Sequence, residues 1–386
     1  MGGAGDSLTR RLTPRELNRA TLARQLLLER ARLPVVDGVR RAVALQAQEP
    51  PSPYLALWNR LADFDPADLD AAFANQQVVK ATLMRVTLHA VAGSDYPAFH
   101  EAMQPTLRGA RLHDRRFRRS GFTPEEADAL LPDVVGFAGS PRSSAEAEGW
   151  LDDRLGETPK PGLWWAFRQY GPIVQHPTGG PWAFGPRPAY VAAAQQQRPG
   201  EQTASIGWLA RRYLEGFGPA SLADIGQFTM LGRPLIRDAL AAIEDDLVRL
   251  EAADGSVLWD VPRAILPAED APAPPRLLPM WDSVLLAYAD RSRLVPPEYR
   301  RRVSQSNGDL LPTILVDGYV AGVWRPVEDG IVVSAFHRLD DDAWDGLATE
   351  ASALDGFLSS RDRRIYTRYD RWFAEVRPAE VRTLGR

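Results

Sequence analysis

Apolar and polar residues follow helical spacing from early in the chain. Thr13-Pro14-Arg15-Glu16 predicts a helix start, combining a capping box with proline at the first helical position. Leu17, Leu22, Leu26 and Leu27 recur behind it, and Pro34 ends the helix. A second helix is predicted over 36–48, with Val39, Ala42 and Val43 turned inward and Pro50, Pro51 and Pro53 stopping it. Helices over 54–61 and 66–75 follow. At 78–91 the pattern changes. This β-rich run, VVKATLMRVTLHAV, broken near Leu83 and Met84, predicts two strands. Helices followed by a strand pair is the element order of a winged helix.

That order recurs twice. Helices over 124–136, 143–154 and 162–170 precede GPIVQHPTGGPWAFG, 171–185, whose centre predicts a hairpin turn flanked by short strands. A further helix over 204–215 is broken by Gly218-Pro219. Ser221 caps a short helix to Phe228, Gly232-Arg233-Pro234 opens another, and 247–262 forms a hairpin with Asp254-Gly255 at its turn. Prolines at 262, 267, 272, 274 and 275 mark a linker. Beyond it, Asp317-Gly318 between two apolar runs is a hairpin signal, a strand starts at Ile331, and helices are expected to the end. The expected fold class is α+β. It has three tandem winged-helix (helix-turn-helix) units over 8–120, 121–200 and 201–262, and a C-terminal hairpin-containing α+β unit over 276–386.

Composition narrows the function. The 386 residues are 45% hydrophobic and 25% charged, an ordinary globular balance. There is no cysteine, which excludes disulfides, thiolate metal sites and cysteine nucleophiles. No apolar run is long enough to cross a bilayer, and the N-terminus lacks the apolar region of a secretory signal, so a cytoplasmic protein with no membrane partner is expected. The five histidines, His89, His100, His113, His176 and His337, have no metal-ligand spacing and read as surface or half-buried. No Walker loop, GxGxxG or GxSxG is present. Neither a metal nor a cofactor is expected. The net charge of −4 argues against nucleic acid as a partner, but its distribution argues for it. Arginines cluster at 108–119, 291–302 and 361–371, and acidic residues gather elsewhere, so one basic face is expected. Lysine occurs only at Lys80 and Lys160.

Candidate chemistry sits in LQAQEPPSPY, 45–54. Two amides, Gln46 and Gln48, stand at i and i+2 beside a rigid proline loop. At the end of a helix they would point about 200° apart. Spacing alone therefore makes them a polar helix end facing water, unless the helix stops or distorts between them.

The stretches LNRATLARQLLLER, ALQAQEPPSPYLALWNRL, VVKATLMRVTLHAVAGSDYPAF, YGPIVQHPTGGPWAFG, RLLPMWDSVLLAYADRSRL and SNGDLLPTILVDGYVAGVWRP give the pair a role. Together, over most of 15–344, the chain resembles the winged-helix DNA glycosylases of the AlkZ type. The resemblance implies three winged helices in a C-shaped clamp and a Gln-aliphatic-Gln catalytic motif, here Gln46-Ala47-Gln48. Glutamine rather than aspartate at the second position implies the branch linked to self-resistance against DNA-alkylating natural products, which includes enzymes that unhook interstrand crosslinks. It also implies phosphate contacts from Arg291 and Arg293 and a DNA-probing hairpin that presents Tyr319.

Glutamine carries no charge and cannot serve as a useful general base. It can hold a water and turn a dipole toward a developing oxocarbenium ion. That suffices only for a base already primed to leave, such as a cationic N7-alkylguanine or N3-alkyladenine. The expected function is a base-excision-repair glycosylase acting as a monomer on double-stranded DNA with alkylated purines. Glu49 is a rival catalyst, or else a solvent-exposed helix end. With no lysine near the pair, a monofunctional enzyme is expected. A bulky adduct suits an open site, so little base flipping is expected, with both glutamines accessible before DNA binds. A winged-helix transcription regulator and a non-catalytic lesion-binding protein are the alternatives.

Overall fold

The computed structural model describes residues 10–156, 160–194, 201–305 and 308–385, and the fold is mixed α+β. The first helix, Pro14–Arg24, starts where predicted. Thr13 accepts from the Glu16 N–H, and Glu16 accepts from the Thr13 N–H. The helix then serves as a central tie. Buried Arg24 grips Asp260 with two bonds of 2.7 and 2.8 Å, holding the strand Val257–Asp260. Buried Arg19 pairs with Asp317.

Three sheets carry the architecture. In the C-terminal unit, Arg276–Leu278, Thr313–Val316, Tyr319–Val327, Gly330–Ala335 and Glu380–Leu384 form an antiparallel meander in chain order. The last of these strands lies where only helices were expected. The hairpin Val248–Ala252/Val257–Asp260 gains a parallel edge from Arg11–Leu12.

The third sheet changes the expected domain plan. The strands Val78–Thr82 and Leu88–Ala92 do not stand apart as a first wing. Lys80 pairs with Gln175, which joins them to Ile173–His176, so one six-stranded sheet crosses the boundary expected at 120/121. The second hairpin also closes differently. Ile173–His176 pairs with Ala189–Ala192 across a long loop, and the 182–185 segment adds no strand. A 17-residue helix, Tyr96–Leu112, which the apolar pattern does not predict, links the two halves. Its internal Pro105 disguised it.

One apolar core runs from Leu22 to Tyr369. Charged anchors cross it. Arg60, fully buried, holds Asp282 through bonds of 2.9 and 2.8 Å, clamping the first unit to the C-terminal one. Asp282→Ala strands that guanidinium without its counter-charge. It is expected to cost about 3–5 kcal/mol in denaturant-unfolding experiments. Arg32→Ala removes the exposed pair with Asp63 and is expected to leave the midpoint essentially unchanged. Among the described residues no helix is long and apolar enough to cross a membrane.

Candidate active site

The predicted helix over 36–48 ends early, at Ala42. Val43 takes φ +69°, a conformation that a β-branched residue adopts only when its surroundings impose it. The surroundings are the helix Gln202–Phe217, where Gly216 lies so close that a Cβ there would be 2.5 Å from Val43 Cγ2. The Arg212 guanidinium on the same helix takes the Arg40 carbonyl. The chain then runs extended. Leu45 and Gln46 pair with Ala90 and His89, and the Ala47 N–H donates to Leu88 at 2.8 Å.

Extension solves the geometry of the pair. Successive residues of extended chain face opposite sides, so i and i+2 share one. Ala47 is fully buried in the core, while Gln46 and Gln48 both line one cleft of about 680 Å³. Their exposure differs from expectation. Gln48 is exposed, but Gln46 is only 6% exposed, and its Oε1 accepts from the Gln48 N–H at 2.9 Å.

Lys80, Arg85, Arg111, Arg168, Arg291 and Arg368 line the same cleft. Arg368 is held by Glu49 at 2.6 Å. Among the described residues Arg85, Arg111, Arg168 and Arg291 make no ion pair. Burial pushes Arg85 down to about 10, with Arg291 adding repulsion, and burial also lowers Arg111, with Arg116 and Arg168 adding to it. Cations packed this way are positioned for an anion. Arg85 sits at the strained tip between Val78–Thr82 and Leu88–Ala92, at φ +53°, and bonds to His89 and to the Phe228 carbonyl. His89, read from sequence as surface or half-buried, is fully enclosed. Burial and Arg85 push it down to about 3, so it stays neutral and steadies Arg85.

Trp165, flanked by Arg111 and Arg116 at 5.0 and 5.1 Å, and Trp281 add flat aromatic surface to the cleft. Asp309 also lines it. Lys80, Arg85, Arg168, Trp165, Trp281 and Asp309 are not among the site residues that the sequence singles out. Arg111 and Arg368 lie in the arginine clusters, and Lys80, Arg85, Trp281 and Asp309 in stretches that carry the family resemblance, so those six had a signal.

The other candidates divide. Arg291 reaches the glutamine cleft. Two residues on along the turn Arg291–Arg293, Arg293 faces a second cavity of about 400 Å³ together with Tyr319. The Arg293 guanidinium donates to the Pro219 carbonyl at 2.9 Å and lies 4.0 Å from the Tyr288 ring centroid. The Asp317-Gly318 tip is not a free probe. It is docked on the first helix, where Asn18 donates to the Gly318 carbonyl at 2.9 Å and a Cβ on Gly318 would lie 2.6 Å from Leu22. Glu49 is neither an exposed helix end nor a cleft-lining base. It is half-buried beside Arg368, and burial raises its carboxyl above the usual range against the pull of Arg368 and Lys80. The premise that no lysine lies near the pair also fails, because Lys80 shares their cleft.

An α+β chain with two amides and several cations lining one cleft has the chemistry of the class of proteins that bind a polyanion. A family model for AlkZ-like DNA glycosylases matches residues 39–357, and the chain belongs to that family. It is 26% identical over 334 residues to an interstrand DNA cross-link repair glycosylase of Streptomyces sahachiroi, covering 82% of this chain and 88% of the relative. The solved structure of the Streptomyces sahachiroi DNA glycosylase AlkZ has the same fold, with a TM-score of 0.76 at 22% identity over 92% of this chain and 98% of the other.

Proposed function

We propose that this chain hydrolyses the N-glycosidic bond of cationic alkylpurines in duplex DNA, including bulky natural-product adducts and interstrand crosslinks, in repair and antibiotic self-resistance. The observation that carries the reading is the joint presence of Gln46 and Gln48 in a cleft lined by four arginines that make no ion pair among the described residues. Alkylation at N7 or N3 makes the purine cationic, so it leaves as a neutral base when the C1′–N bond breaks. The sugar becomes an oxocarbenium ion. Amide dipoles stabilise that charge without being bases, and exposed Gln48 holds the water that attacks C1′. Gln46 fixes the Gln48 backbone through their 2.9 Å bond.

Arg85, Arg111, Arg168 and Arg291 take phosphates, and Arg293 with Tyr319 makes a peripheral contact at the second cavity. Trp165 and Trp281 stack on the adduct or its neighbours. An open clamp accommodates lesions too large for a closed pocket. A duplex with a single N7-alkylguanine and a matched uracil duplex test the reading through alkali-revealed abasic sites. Release of the alkylguanine with uracil untouched is expected. Efficient uracil release would overturn the leaving-group argument, and tight binding with no release from either would make the chain a lesion shield.

A further inference from the structure

The cleft holds a nucleophile that base hydrolysis does not use. Lys80 lies on Val78–Thr82 and pairs with Ala90 on Leu88–Ala92, whose other edge carries Gln46 opposite His89. Lys80 and Gln46 thus flank one strand on neighbouring rungs, with backbones roughly 10 Å apart across two strand spacings. Both line the cleft with Gln48.

We propose that Lys80 is an imine-forming residue that gives this protein an abasic-site lyase step after the base has left. The inference rests on the glycosylase reading of the same cleft, which supplies the abasic sugar.

Three observations support it. Lys80 is only 3% exposed yet belongs to the residues that line the cleft, so it is shielded from bulk water within the cleft wall. Its Nζ lies 4.3 Å from the centroid of the Phe184 ring and makes no ion pair among the described residues. Burial accordingly pushes the amine down to about 7 against the opposing pull of Glu49, so a large fraction is the free, nucleophilic form at neutral pH. Finally, only two of the 46 Lys and Arg residues are lysine, and arginine would serve phosphate binding as well but cannot form an imine.

The step balances. The Nζ lone pair adds to the C1′ aldehyde of the ring-opened abasic site, and water departs to leave an iminium. Loss of the C2′ proton to water sends its electron pair toward C1′, and the C3′–O bond breaks with the phosphate as leaving group. Water then hydrolyses the imine, returning the Lys80 amine and releasing an unsaturated sugar aldehyde on the 3′ end. The water formed equals the water consumed, and nothing is oxidised or reduced overall.

The test incubates the full-length protein with a duplex carrying a preformed abasic site, in the presence of sodium borohydride. Hydride from borohydride reduces the iminium to a stable secondary amine. A covalent protein–DNA species is expected, with peptide mapping placing the sugar remnant on Lys80. Lys80→Met, which fills the same space, and Lys80→Arg, which keeps the charge, are each expected to unfold cooperatively and to give no adduct above background. Absence of an adduct on wild type, or an adduct mapped to Lys160 or another amine, overturns the proposal. The two readings fail separately because the probe is already abasic. Alkylguanine release without an adduct sinks the lyase, and an adduct without release sinks the glycosylase.

Discussion

Replacing Gln46 and Gln48 together with alanine is expected to slow N7-alkylguanine release by about 100- to 1000-fold, the range lost when a preorganised polar stabiliser of a charged transition state is removed. Single-turnover base release with enzyme in excess measures it, because substrate binding and product release then drop out. The single variants are expected to cost nearly as much as the double. Gln48→Ala removes the exposed amide itself. Gln46→Ala removes the acceptor that fixes the Gln48 backbone at 2.9 Å, so the two act as one unit and their effects do not add. The competing catalyst in the cleft is Asp309. If the double alanine variant keeps its rate while Asp309→Asn abolishes release, a carboxylate performs the hydrolysis and the amide mechanism is wrong.

Duplex affinity is expected to fall steeply with salt. Four arginines that make no ion pair among the described residues, Arg85, Arg111, Arg168 and Arg291, give a slope of log K against log salt of about −4, or roughly a 10²-fold loss between ~50 and ~200 mM. Removing Arg85 and Arg291 together should flatten that slope by about 2. Arg293→Ala should change it less, since that guanidinium is already engaged by the Pro219 carbonyl and the Tyr288 ring. Fluorescence anisotropy over a salt series reads all three. A wild-type response that is flat would mean that phosphates do not dominate the interface, and the cleft cations would need another role.

What the sequence determined by itself is local. The Thr13 capping box starts the first helix, Ser221 caps Leu222–Thr229, and Asp254-Gly255 and Asp317-Gly318 turn their hairpins, because each needs only a few adjacent residues with the right backbone preferences and side-chain acceptors. The stretches resembling a known family also singled out Gln46 and Gln48, although helical periodicity placed them on opposite faces. Tertiary structure decided how the pair is presented. The helix stops at Ala42 because Val43 packs against Gly216 and Arg212 caps Arg40, contacts from more than 170 residues away. It also decided that the first two hairpins share a sheet, that His89 is enclosed, and that Lys80 stands in the cleft of the two glutamines. Desolvation and strand pairing depend on which distant segments meet, and no window of neighbouring residues carries that information.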